Sequence, residues 1–174
     1  MRKVIVYIAT SLDGFIAGEN DSLDFLKSVE VPGEDYGYAN FINTIDTVIM
    51  GRKTYDVIKA FDGPFWHASR KCYVYSNTRT GSDDNVEYYK GDIAELITKL
   101  KAEEGKDIFI DGGAGLVHEL MKQKLIDRYC ISIIPAIVGT GVQLFKQGRP
   151  QQEVRLLHSS TFPSGLVQLW YDAV

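Results

Sequence analysis

The feature that most constrains this chain is an alternation of short, apolar, β-branched segments with stretches of helical periodicity. Residues 4–9, 47–50, 71–76, 86–89, 107–110 and 128–134 have the length and side-chain types of strands. Between them, Tyr38, Phe41, Ile42 and Ile45 give residues 36–45 one helical face, and a second helix follows Gly51 through about Ala60. Asp92 with Glu95 is a capping-box signal, and Ile93, Leu96, Ile97 and Leu100 form the buried stripe of a helix ending near Gly105. Residues 116–123 form the last predicted helix, and residues 18–32 read as a polar loop with one helical turn around 23–26. The chain closes with two strand patterns, 154–162 and 166–173, turning on Pro163-Ser164-Gly165. The prediction is an α/β fold with a mostly parallel central sheet and an antiparallel C-terminal hairpin. With 174 residues, 45% of them hydrophobic, and no repeat or linker, a single domain over 1–174 is expected.

Charge and cysteine usage narrow the function classes. A formal net charge of −4 argues against a general nucleic-acid binder, so an anionic ligand must be gripped by local positive groups. Cys72 and Cys130 are far apart and belong to no Cys-x-x-Cys pair, so neither structural zinc nor a disulfide framework is expected, and a reducing cytoplasm fits. The apolar run at residues 4–9 ends in Thr10-Ser11-Leu12-Asp13-Gly14, too early for a secretory signal, and no stretch has the ~20 apolar residues of a membrane span. His67, His118 and His158 have no metal-ligand or triad spacing, and no metal site is expected. There is no G-x-S-x-G nucleophile elbow.

Two strand-to-helix junctions carry the strongest candidates for ligand binding. In Val48-Ile49-Met50-Gly51-Arg52-Lys53-Thr54-Tyr55, a glycine leaving a strand lets a ligand approach the backbone. The N–H groups of the next helix then attract phosphate, and Arg52, Lys53 and Thr54 add charge and a hydroxyl. The same segment also reads as a tight turn with solvated basic residues. In Ile110-Asp111-Gly112-Gly113-Ala114-Gly115-Leu116, paired glycines allow a diphosphate to pack on main-chain amides. That spacing departs from the G-x-G-x-x-G dinucleotide fingerprint, and a plain loop is the alternative. Two such junctions on parallel strands point to a dinucleotide more strongly than either alone.

The ordered set resembles the dihydrofolate reductase-like superfamily. Met50-Gly51-Arg52-Lys53-Thr54 is similar to its G-R-x-T segment, Val74-Tyr75-Ser76-Asn77 to its next strand, and Ile110-Asp111-Gly112-Gly113 to its Gly-Gly turn. Ser11-Leu12-Asp13-Gly14-Phe15-Ile16-Ala17 and Ile134-Pro135-Ala136-Ile137-Val138-Gly139-Thr140-Gly141 resemble more closely the reductase of riboflavin biosynthesis, the C-terminal half of a bifunctional deaminase-reductase. The similarity is thinnest between Gly18 and Asn40. It implies a dihydrofolate reductase-like three-layer fold and a coenzyme held by Gly51, Arg52, Lys53, Thr54, Ser76, Asn77, Gly112, Gly113, Ala114, Gly115 and Leu116. Ala9, Ile16 and Ala17 would line the nicotinamide end. Arg52 with Ser76 supplies a cation and a hydroxyl for a 2′-phosphate, which favours NADPH over NADH. Arg79 either assists or is a solvated loop residue.

Hydride transfer to a C=N or C=O bond needs a positioned coenzyme and an available proton. Two carboxylates are candidates for the proton. Asp35 aligns with the superfamily acid that grips a pterin, with Ser132 near that acid's hydroxyl partner, but it also reads as a helix cap. Asp13 matches the S-x-D-G of the riboflavin-type enzymes, and equally reads as an Asp-Gly turn residue. Asp24 and Phe25 fall in the loop over the expected site, and Trp66 is either a cleft wall or a residue packed under a loop. Lys27 and Arg149 are candidate cations for a phosphorylated substrate.

The deaminase signature, H-x-E with P-C-x-x-C, is absent. The expected activity is NADPH-dependent reduction of a pyrimidine- or pterin-like small molecule, resembling 5-amino-6-(5-phosphoribosylamino)uracil reductase. Dihydrofolate reduction and a non-catalytic nucleotide-binding module are the alternatives. The resemblance implies a homodimer, with the apolar hairpin residues Leu166, Val167, Leu169 and Trp170 offering an edge.

Overall fold

A computed structural model describes residues 1–174. The strands are β1 (Val4–Ser11), β2 (Phe15–Ala17), β3 (Ile45–Gly51), β4 (Lys71–Tyr75), β5 (Gly81–Ser82), β6 (Glu87–Tyr89), β7 (Asp107–Gly112), β8 (Arg128–Ile134), β9 (Val142–Gln143), β10 (Val154–Thr161) and β11 (Val167–Ala173). The helices are α1 (Tyr38–Ile42), α2 (Arg52–Ala60), α3 (Ile93–Ala102) and α4 (Ala114–Lys122), with 3₁₀ turns at Glu19–Asp21 and Asp24–Val29. Nine strands form one sheet in the order β10-β11-β8-β1-β7-β3-β4-β6-β5, while β2 and β9 pair separately. The run β8-β1-β7-β3-β4-β6 is parallel throughout, and antiparallel pairing is confined to its two ends.

Two layers of helix cover the sheet, as the alternating pattern requires. On one face, Val4, Val6, Ile49, Ile108 and Ile110 meet the apolar stripes of α3 and α4. On the other, Ile5, Val48, Met50 and Phe109 meet Phe41 of α1 and Tyr55 and Ile58 of α2. The central strands β1, β7, β3 and β4 are covered on both faces, which explains why their residues are apolar without alternation. The dihydrofolate reductase-like three-layer fold with a mostly parallel sheet is therefore present.

Three local expectations change. The helix predicted for residues 36–45 contracts to five residues. Gly37, at φ +81°, sets its start, and the Thr44 hydroxyl and amide both bond the Phe41 carbonyl at its end. Ile45 then belongs to β3, where the sheet offers its β-branched side chain a buried place. The capping-box helix does begin at Asp92, whose carboxylate accepts the Ala94 N–H at 2.9 Å, but it stops at Ala102. Of the apolar hairpin residues expected to offer an association edge, Val167, Leu169 and Trp170 lie on β11, which is paired on both sides by β8 and β10, and Leu166, just before it, is buried. The exposed apolar residues of the hairpin are Val154, Leu156 and Leu157 on β10, the true edge.

Candidate active site

The two glycine junctions are adjacent in space because β3 and β7 are parallel neighbours, with Met50 in register with Gly112. A Cβ on Gly51 would stand 3.6 Å from both the Gly112 oxygen and the Gly113 nitrogen. One on Gly113 would stand 3.2 Å from the Thr54 hydroxyl. Gly112 itself has φ +97°, and a side chain there would press on the Ile8 δ-methyl at 3.3 Å. Gly112 and Gly113 thus leave little room for a side chain, whereas the 3.6 Å approach at Gly51 is ordinary contact. α2 begins at Gly51 and α4 at Gly113, and neither helix has a side-chain cap. Two helix N-termini with amide groups free of capping side chains converge on one edge of the sheet, a fitting cradle for a diphosphate. Leu116 and Ala114 contribute backbone only, since their side chains are buried in the core.

The charged groups around this cradle are arranged by one carboxylate that sequence reasoning overlooked. Asp56, one turn into α2, bonds Arg52 Nη1 at 2.9 Å and Arg79 Nη1 at 2.7 Å. The two guanidinium groups are therefore brought together on one side of the α2 start. Ser76 is buried, and its hydroxyl accepts the N–H groups of Thr78 and Arg79, so it shapes the turn that carries Arg79. Lys53 and Asn77 are exposed. A further cation, Lys146, has its Nζ 3.8 Å from where a Cβ on Gly115 would stand. Its distance of some thirty residues in sequence left no local signal. Lys27 instead pairs with Asp24 at 2.6 Å, and Arg149 donates to the carbonyls of Phe145 and Lys146.

The proposed acids have other hydrogen-bond partners. Asp13 accepts the Ser11 hydroxyl at 2.6 Å and the amides of Val138 and Gly139 at 3.0 and 2.7 Å. Led by the Ser11 bond, these donors hold its pKa down at about 2. Asp13 thus clamps the turn after β1 to the segment after β8. The two segments also meet through β2 and β9, where Gly141, at φ +142°, passes so close to Ala17 that a Cβ would lie 2.1 Å from its carbonyl oxygen. Ala17 is buried, and Ile16 and Ala9 are half-buried, packed against the core clusters.

Asp35 accepts the amides of Ala39 and Gly37, each at 2.9 Å, and those bonds, Ala39 first, lower its pKa. It caps the first turn of α1. Ser132 does not bond Asp35. Its hydroxyl accepts from Gln168, whose amide nitrogen also donates to the Tyr7 hydroxyl and the Tyr36 carbonyl, while the Gln168 oxygen accepts the Trp170 N–H. That network satisfies a buried polar cluster between β1, β8 and β11.

The carboxylate that does stand at the junction is Asp111, the residue before Gly112. Its side chain lies on the α1–α2 face of β7, opposite the direction of Ile110, and is 21% exposed. His67 Nε2 lies 3.0 Å from Asp111 Oδ2, and the His67 side chain is 1% exposed. Tyr38, the first residue of α1, has its hydroxyl pushed up to about 12, by burial first and by the Asp111 charge second. In the sequence Asp111 reads only as part of the glycine turn, because its partnership with His67 spans 44 residues and has no spacing signature. Trp66 stacks on Phe61 at 5.2 Å between centroids and is 57% exposed. Phe25 packs beside Val29, Ile134 and Leu166. No group of three or more His, Cys, Asp or Glu side chains is placed to hold a metal, and no helix is long and apolar enough to cross a membrane.

Comparison with known proteins supplies the family. The model of the RibD C-terminal domain matches residues 71–168, more than half of the chain. YwjB of Bacillus subtilis strain 168 is 39% identical over 98% of this chain and 97% of its own length. A solved structure from Shewanella sp. PV-4, named for riboflavin biosynthesis, superposes with a TM-score of 0.90 at 34% identity, covering 99% of both chains. The diaminohydroxyphosphoribosylaminopyrimidine deaminase/5-amino-6-(5-phosphoribosylamino)uracil reductase of Thermotoga maritima gives 0.74 at 13% identity, with 99% of this chain matching 57% of that one. Enterococcus faecalis dihydrofolate reductase, solved with NADP(H), gives 0.67 at 16%, covering 98% and 96%. The last two share the fold alone. The 39% identity to YwjB over nearly the full length, together with the domain match over residues 71–168, identifies this chain as a member of the RibD C-terminal domain family.

Proposed function

We propose that the protein is an NADPH-dependent oxidoreductase that reduces a C=N or C=O bond of a pyrimidine- or pterin-like small molecule. The observation that carries this reading is the meeting of two uncapped helix N-termini at Gly51 and at Gly112–Gly113, where a side chain on Gly112 or Gly113 would crowd its neighbours. The residues fit the coenzyme. Main-chain amides at the starts of α2 and α4, with Lys146 beside Gly115, suit a diphosphate. Arg52 and Arg79, paired on Asp56, suit a 2′-phosphate. Bound NADPH would supply the hydride.

The chain's own task is to orient the substrate, exclude water and present a carboxylate. Asp13 and Asp35 stay ionised and serve as clamp and cap, which makes them poor proton donors. Asp111 has one oxygen on His67 and is partly exposed, so its second oxygen is free to accept an N–H from an aminopyrimidine. A ribosylamino substrate of the kind named for the Thermotoga enzyme carries such N–H groups.

The test is to follow NADPH oxidation by the purified protein with 5-amino-6-(5-phosphoribosylamino)uracil and, separately, with dihydrofolate. Oxidation with the former supports the reading, and oxidation with dihydrofolate alone moves the protein to the folate branch. Tight NADPH binding with no oxidation by either would favour a nucleotide-binding module.

A homodimer is part of the proposal. A cavity of about 490 Å³ opens on the α4 side of the sheet between Tyr129, Ile131, Leu169, Tyr171 and Phe145. It borders the exposed edge strand β10, where Leu156 is 52% exposed. A second copy covering this face would remove an apolar edge from water. Leu156→Asp is expected to convert the dimer to monomer in light scattering, and a wild-type monomer at micromolar concentration would refute it.

A further inference from the structure

The loop between α2 and β4 contributes a histidine that no coenzyme or clamp role uses. His67 is almost fully buried, with its ring edge-on to Phe65 at 5.7 Å and to Phe109 at 5.9 Å. Its Nδ1 is buried and has no hydrogen-bond partner, and its only polar ring contact is Nε2 to Asp111 Oδ2 at 3.0 Å. Facing a carboxylate oxygen, Nε2 is the nitrogen placed to donate. A second proton on Nδ1 would place an unpaired N–H among aromatic rings, which is costly. The ring is therefore oriented with Nε2 toward Asp111 and Nδ1 toward the aromatic pocket. The loop that holds it is itself tied down, since the Ala68 amide bonds the Phe65 carbonyl, the Arg70 amide bonds the His67 carbonyl, and Arg70 reaches the Ile42 carbonyl at the end of α1.

We propose that His67 is a positioning residue for the reaction, fixing the Asp111 carboxylate so that its second oxygen faces the substrate. This rests on the proposed function, in which Asp111 receives a substrate N–H. A carboxylate on the last turn of a strand, next to a glycine, would otherwise sample several rotamers. One donor from a rigid aromatic pocket selects one of them and leaves the carboxylate's charge intact. A short imidazole fixed by packing offers one donor in one place, which the longer, more mobile Arg and Lys side chains would not.

The experiment compares wild type with His67→Phe, His67→Gln and Asp111→Asn, using 5-amino-6-(5-phosphoribosylamino)uracil as substrate. Phe keeps the ring and loses the donor, whereas the Gln amide can offer an N–H near the position of Nε2. For His67→Phe the expectation is a fall in kcat/KM of about tenfold to a hundredfold, the scale of a misplaced contact, with NADPH affinity and melting temperature close to wild type. His67→Gln should recover most of that loss, and Asp111→Asn should lose at least as much as His67→Phe. Wild-type kinetics in His67→Phe, with Asp111→Asn impaired, would overturn the positioning role and leave the functional reading standing. So would a loss that Gln does not recover, because that is the behaviour of a packing residue. Should the wild type reduce nothing, the functional reading fails by itself. The contact is then judged by nitrogen-labelled histidine spectra. An Nε2–H tautomer that is lost in Asp111→Ala, which has no acceptor, upholds it, and the same tautomer in both proteins overturns it.

Discussion

The proposed coenzyme side and the proposed substrate side of the same sheet edge are built from different materials. On the coenzyme side the working groups are main-chain amides at two glycine turns, each on a strand that runs directly into a helix. On the proposed substrate side they are side chains from distant segments: Asp111 from β7 and His67 from the loop after α2. A backbone site depends on what is missing at a position, since a Cβ fills it. A side-chain site depends on what several loops deliver. The first should therefore fail through added atoms and the second through removed ones.

The largest effect expected from this contrast is at Gly112. Gly112→Val puts a β-branched residue at φ +97° against Ile8, a conformation that costs an L-residue on the order of 1–2 kcal/mol before any clash. Titration should show NADPH binding weakened by more than about tenfold, the equivalent of 1.4 kcal/mol. Unchanged affinity would remove the backbone cradle from the argument.

Next in size is Arg52→Ala. Loss of a charge-assisted contact of about 1.5–3 kcal/mol should weaken NADPH by at least about tenfold and leave NADH nearly unaffected. Equal losses for both coenzymes would mean that Arg52 serves α2 through Asp56 alone.

On the substrate side, Gly37→Ala changes nothing in contact, because no atom lies within 4 Å of the added methyl. It still forces φ +81° on an alanine and should cost about 1 kcal/mol in urea unfolding while coenzyme affinity stays put. A loss of coenzyme affinity there would show that the two halves are coupled.

The smallest effect concerns pH. Asp13 has a native pKa near 2, below its ordinary value of 3.8, so the folded state binds its proton less readily than the unfolded one. Its stabilising contribution is therefore present above pH 3.8 and is lost as pH falls toward 2. The stability gap between wild type and Asp13→Asn should be open at pH 5 and closed near pH 2. A gap constant across that range would mean that the clamp does not depend on the charge.

Local chemistry explains which parts were legible. The Asp92 cap, the α3 stripe, the buried strands and both glycine turns are written within a few neighbouring residues, because helix and strand periods and turn conformations are local properties. The five-residue α1 was overextended because Ile45 fits a helix stripe and a strand equally well, and only the neighbouring β7 decides for the strand. The short pair β2 and β9 went unseen because its strands are brought together by the Asp13 clamp and by the close approach of Gly141 to Ala17.

The sequence by itself determined the alternating α/β layering and the two phosphate-type turns, since both depend on residue order over short spans. Only the tertiary structure decided the rest. It joined the two turns through β3 and β7, set Arg52 and Arg79 on Asp56, and gave Asp13 and Asp35 to backbone amides. It also placed His67 against Asp111. The physical reason is that a hydrogen bond between side chains 44 residues apart leaves no period in the sequence, and exists only once packing has chosen their neighbours.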